Sequence, residues 1–74
     1  MIARNFPPNK TLKAMQYHSG NLTISFNKGQ DRVYEGVDTK TAYALYYMNT
    51  ASNILSYYAN FIKGKFNVKT VTNL

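Results

Sequence analysis

The stretch Leu22-Thr23-Ile24-Ser25-Phe26-Asn27-Lys28-Gly29-Gln30-Asp31-Arg32-Val33-Tyr34-Glu35-Gly36-Val37-Asp38 decides the fold. Leu22, Ile24 and Phe26 fall on one side of an extended chain and Thr23 and Ser25 on the other, the period of a half-buried strand. Asn27-Lys28-Gly29-Gln30 supplies turn residues, so Arg32-Val33-Tyr34-Glu35-Gly36 reads as the next strand of an antiparallel pair. That strand poses a choice of face. With Val33 inward, Glu35 also points inward, and an unpaired buried carboxylate costs more than a valine gains. With Tyr34 inward, Glu35 stays in water and Arg32 comes to the inner face near the sheet edge. The second arrangement is cheaper and predicts Tyr34 as core.

Toward the N-terminus, His18-Ser19-Gly20-Asn21 is a turn and residues 11–17 alternate loosely as a further strand. Pro7-Pro8 disfavours helix at and before it, so residues 1–10 read as an extended arm. Toward the C-terminus, Asp38 offers a helix N-cap, and Val37, Thr41, Ala44, Leu45 and Met48 recur as one apolar stripe. Asn49-Thr50-Ala51-Ser52-Asn53 interrupts with cap-type residues, and Thr50 or Ser52 begins a second helix. Ala51, Ile54, Leu55, Tyr58, Phe61 and Ile62 line one face of it, with Lys63 in the last turn and Gly64 as the residue that ends it. The tail Phe66-Asn67-Val68-Lys69-Thr70-Val71-Thr72 has β propensity; whether it adds a short strand, docks on a neighbour or stays loose is open. The expected fold is α+β: a three-stranded antiparallel meander followed by two short helices packed on one face. Its parts are an arm at 1–10, a single domain at 11–66 and a tail at 67–74.

Seventy-four residues allow one small domain, and the absence of cysteine excludes a disulfide scaffold, a thiol nucleophile and thiolate zinc sites. No apolar run approaches the roughly 20 residues that cross a bilayer, and the N-terminus lacks the apolar stretch of a signal peptide. The expected location is cytoplasmic. Nine Lys and Arg against three acids leave a charge of +6, and Asp31, Glu35 and Asp38 all lie close together. Most of the positive charge therefore faces solvent or a polyanionic partner. Acid–base catalysis needs a positioned His with a carboxylate or paired carboxylates, whereas here a single His18 lies in a turn. Asp31 and Glu35 share a strand face but have no third ligand to hold a cation, and the four glycines are scattered singly, away from any phosphate loop. No catalytic residue, cofactor or metal site is expected, and the chain reads as a non-enzymatic protein.

The order of elements resembles the KTSC domain, a family named after a segment at the C-terminus of some lysyl-tRNA synthetases and found also as small stand-alone bacterial or phage proteins. The matching stretch runs from about Met15 to Phe66. An apolar strand ending in Phe, a turn and Tyr-x-Tyr-x-Gly-Val resemble Leu22–Phe26 followed by Arg32-Val33-Tyr34-Glu35-Gly36-Val37. In the helical half the likeness continues at Ala51-Ser52, Tyr57-Tyr58 and Ile62-Lys63. The sequence departs from the family at Arg32, where the first tyrosine is expected, and at Leu55, in place of a glycine. The resemblance implies a KTSC-like domain over 11–66, a bacterial or phage-infected setting, and RNA binding, which has been suggested for the family.

Two basic groups fit such a partner. Lys13, Tyr17 and Arg32 lie along the expected sheet edge, and Lys63, Lys65, Phe66 and Lys69 form a basic run interleaved with a ring. Lysine and arginine hold phosphates without reading sequence, while Tyr17 and Phe66 are candidate stacking rings for unpaired bases. Arg32 in place of a ring still pairs with phosphate or stacks. The leading expectation is a nucleic-acid-binding module for RNA or single-stranded DNA, in which charge reversal at Lys63 or Lys65 weakens binding to all sequences alike. The alternatives are a phage-encoded inhibitor that docks on an acidic protein surface of a host enzyme or defence system, and a protein that sequesters a small nucleotide. A homodimer that covers Tyr43, Tyr46 and Tyr47 or the tail is a further expectation, since so small a core is marginal alone.

Overall fold

In the computed structural model, which describes residues 1–71, the deciding stretch forms two paired strands at the heart of a larger sheet. In chain order the elements are β1 (Ile2–Asn5), β2 (Leu12–His18), β3 (Asn21–Phe26), β4 (Asp31–Glu35), α1 (Thr39–Tyr47), α2 (Ala51–Tyr57), a π-helical turn (Tyr58–Ile62) and β5 (Asn67–Val71). The sheet is antiparallel with order β1-β2-β3-β4-β5. The expected three-stranded meander is thus corrected to a five-stranded sheet. The α+β class holds, but the helices are inserted before the last strand instead of following the sheet. The added strands come from both ends of the chain: residues 2–5 pair with β2, and residues 67–71 pair with β4. Of the expected tail, residues 72–74 lie outside the described residues.

The registers place Ile2, Tyr17, Leu22, Tyr34 and Val68 in one cross-strand row and Arg4, Met15, Ile24, Arg32 and Thr70 in the next. Both rows face the helices. Leu12, Met15, Leu22, Ile24 and Tyr34 are buried there against Val37, Ala42, Leu45, Ile54, Tyr58 and Ile62. Tyr34 is indeed the inward residue of β4, at 2% exposure, while Glu35 turns outward to meet Lys69 at 3.1 Å. The hairpin between β2 and β3 closes through Ser19 and Gly20, both with positive φ, the two-residue turn whose twist suits paired strands.

Asp38 caps α1 as its sequence position implied, accepting from the Thr41 amide at 3.1 Å and the Thr41 hydroxyl at 2.6 Å. The buried face of α1 turns on Ala42 and Leu45, so Ala42 replaces Ala44 in the expected stripe. Thr50 stands at the N-cap of α2 without a side-chain bond. Past Tyr57 the helix widens: the Lys63 amide donates five residues back to the Tyr58 carbonyl, at 2.9 Å. The wider turn keeps Tyr58 and Ile62 on the core and rotates Phe61 into solvent, where 57% of it is exposed. Among the described residues no helix is long and apolar enough to cross a membrane.

Candidate nucleic-acid interface

The chain leaves β1 at Asn5, buries Phe6, passes Pro7-Pro8 and re-enters the sheet at Leu12. Asn9 fixes this loop. Its side-chain oxygen accepts from the amides of Thr11 (2.8 Å) and Leu12 (2.6 Å), and its amide nitrogen donates to the carbonyls of Pro7 (2.8 Å) and Leu12 (2.7 Å). The turn between β3 and β4 is tied to the same loop. The Asn27 amide donates to the Thr11 carbonyl at 3.0 Å, and its side chain donates to the Asn9 carbonyl at 2.6 Å. Two loops far apart in sequence are thereby locked side by side at one end of the sheet.

That end carries Lys10, Lys13 and Lys28, all exposed. Lys13 sits in a bulge, where the register slips between Leu12 and Ala14, and its carbonyl accepts from the Phe6 amide at 2.9 Å. None of the three forms an ion pair among the described residues; Asp31, which opens β4, is the acid of this end. Between the loops lies an open cavity of about 400 Å³, lined by Phe6, Pro7, Pro8, Asn9, Lys13 and Asn27, with Asn5 and Leu12 beside them. This volume is in the range of small-ligand sites, and its wall pairs apolar plates with amide groups. The outer sheet face next to it is of another kind: Ala3, Asn5, Ala14, Gln16 and Ser25 border a shallow depression of about 380 Å³.

Arg32 lies near the same end, two residues past Gln30, but on the inner face. Its guanidinium carbon sits 4.9 Å from the centre of the Phe26 ring, and Nη1 donates to the Tyr58 hydroxyl at 3.4 Å. Tyr58 and Tyr34 share a hydrogen bond of 2.5 Å between their hydroxyls, with ring centres 6.0 Å apart edge to face. The Tyr34 hydroxyl first, and Tyr58 after it, hold the Arg32 pKa above its ordinary value against the opposing effect of burial. Burial, then the bond to Tyr34, pushes the Tyr58 hydroxyl up to about 12.

The other expected site residues are scattered. Tyr17 is half-buried and donates to the Val37 carbonyl at 2.7 Å, so its ring braces the start of α1 and is not offered for stacking. Phe66 is half-buried and packs on the core. Lys63 and Lys65 are exposed around the turn into β5, beside the Glu35 end of β4. The six residues of β3 put that end roughly 17 Å from Lys13. Lys69 is on the outer face, bound to Glu35. The structure thus draws Lys13 and Arg32 toward one end, leaves Lys63 and Lys65 at the other, and sets Lys69 at mid-strand on the outer face. Lys10 and Lys28 escaped the sequence reading because their meeting with Lys13 depends on two loops held together by Asn9 and Asn27; the Asn9 spacing ahead of a strand was the available signal. Exposed rings do occur, at Tyr47 (67%) and at Phe61, but on the helical layer. No family model matches the chain, and no curated protein matches it.

Proposed function

We propose that this chain is a non-enzymatic module that binds single-stranded nucleic acid, RNA or DNA, through the lysine-bearing loop end of its sheet. The observation that carries the reading is the locked pair of loops, which frames an open cavity with Lys13 in its wall and carries Lys10 and Lys28 on the same loops, none of the three with a carboxylate partner among the described residues. Lysine ammonium groups suit backbone phosphates, and a cavity walled by Phe6, Pro7, Pro8 and amide side chains suits an unpaired base, which a duplex does not present. Rigid loops lose little freedom on binding, which favours affinity. The KTSC-like pattern of β3 and β4, in a family suggested to bind RNA, supports the same reading.

The test is fluorescence anisotropy with a labelled single-stranded oligonucleotide and the same sequence as a duplex. The expected result is tighter binding of the single strand, lost in the Lys10→Glu, Lys13→Glu, Lys28→Glu triple variant. Equal affinity of the triple variant and the parent chain overturns the proposal.

A further inference from the structure

Among the described residues, Arg32 is a guanidinium without an ionic partner. Strand alternation sends Asp31 and Glu35 to the opposite face of β4, and Glu35 is engaged with Lys69. The polar groups that hold Arg32 are the hydroxyls of Tyr58 and Tyr34, and neither is a carboxylate. They fix the side chain and leave its charge uncompensated. The Phe26 ring lies beneath the guanidinium, its centre 4.9 Å from the central carbon. A guanidinium has five N–H donors, and Tyr58 occupies one of them by geometry. Thr70 is in register with Arg32 on β5, on the same sheet face, and is exposed. This part of the inner face extends past the helices, since Val68 beside it is 50% exposed. Lys28 lies four residues before Arg32, in the turn that joins β3 to β4.

The geometry points to a preorganised receptor for a phosphoryl group, with the Arg32 fork gripping two of its oxygens and the Thr70 hydroxyl donating to a third. A fork held over a ring by a hydroxyl matches paired oxygens at little further entropic cost, and the third donor, outside the plane of the fork, suits a tetrahedral anion better than a planar carboxylate. Tyr58 and Tyr34 are positioning residues: they aim the guanidinium. The π-helical turn matters here because it begins at Tyr58 and keeps that ring on the core. The receptor stands apart from the loop cavity and does not require that the chain bind a nucleic-acid strand.

The experiment is a titration of the full chain with inorganic phosphate at constant ionic strength, against chloride, followed by NMR of the backbone amide, arginine Nε–H and aromatic ring signals. Saturable shifts at Arg32 and Phe26 are expected. Arg32→Lys, which keeps the charge and loses the fork, is expected to weaken binding roughly tenfold or more. Thr70→Val, at an exposed edge position, is expected to weaken it by about threefold while leaving the thermal midpoint in place. Adenosine 5′-monophosphate and dimethyl phosphate separate the sources: tighter binding of the first assigns the receptor to phosphomonoesters, and equal binding assigns it to backbone diesters. Shifts spread evenly over Lys10, Lys13 and Lys28 with none at Arg32, or an Arg32→Lys variant as strong as the parent, overturn the receptor. In the second of those cases binding of an oligonucleotide by the loops would still stand.

Discussion

Phe61 and Ile62 are neighbours in sequence with opposite fates, and the backbone bond from Lys63 to Tyr58 separates them. An α-helical count puts both on the apolar stripe, which is why the sequence reading placed Phe61 inside; nothing in side-chain pattern announces an extra residue in the turn. Phe61→Ser is therefore expected to change stability by no more than about 0.5 kcal/mol, and Ile62→Ala to cost roughly 2–5 kcal/mol, as read from urea unfolding. Equal losses would mean that the helix runs on in α register. Tyr58 allows a second test through pH. Its folded pKa of about 12 stands above the ordinary 10.0, so the folded chain keeps a proton that the unfolded chain has released. The stability this adds is complete below pH 10 and drains away as pH rises toward 12. Tyr58→Phe strands the buried Tyr34 hydroxyl and is expected to cost about 1–3 kcal/mol at pH 9. The gap between the variant and the parent should narrow by pH 11.5 in the same unfolding experiment.

At the scale of elements, legibility followed burial. Strands β2, β3 and β4 and both helices were readable because each buries one face, so a period of two or of about 3.6 is written in the residues. The edge strands were not. Arg4 occupies an inward position of β1, where it reaches the Tyr46 and Met48 carbonyls at the end of α1, at 2.8 Å and 2.5 Å, and a charged residue there erases the alternation. All five residues of β5 are exposed, so burial left no mark on them; what makes that segment a strand is the open edge of β4. The candidate site was half legible for the same reason. Charge could be counted from the sequence, but the loops that gather it are held by Asn9, a residue type that turns use widely. Asn9→Ala removes the four side-chain bonds that shape the loop and is expected to cost about 2 kcal/mol. It should also reduce oligonucleotide affinity although no charge changes. A variant that loses stability and binds normally would place the interface elsewhere.

For the whole molecule the question is whether +6 behaves as one cloud or as a directed field. The acids divide it. Glu35 and Asp38 lie at the end shared by Lys63 and Lys65, and Glu35 also neutralises Lys69, whereas among the described residues Asp31 is the one acid set against Lys10, Lys13, Lys28 and Arg32 at the loop end. Arg4 is engaged with the carbonyls at the end of α1. A single strand held by the four loop-end cations should release counterions in proportion, with log affinity falling by about 3 per decade of salt. Between 50 and 200 mM salt that slope amounts to roughly a 50-fold loss, which an anisotropy titration resolves. Removing Lys10, Lys13 and Lys28 should flatten the slope to below about 1, because each lost phosphate contact subtracts about 0.7. Lys63→Glu with Lys65→Glu takes four units of formal charge from the other end, against three when the loop-end lysines are neutralised, and should leave the slope where it was. The comparison separates the two pictures cleanly: a cloud responds to the number of charges removed, a directed interface to their address. If both sets flatten the slope alike, the loop end has no special claim on the partner, and the earlier expectation at Lys63 and Lys65 returns in its place.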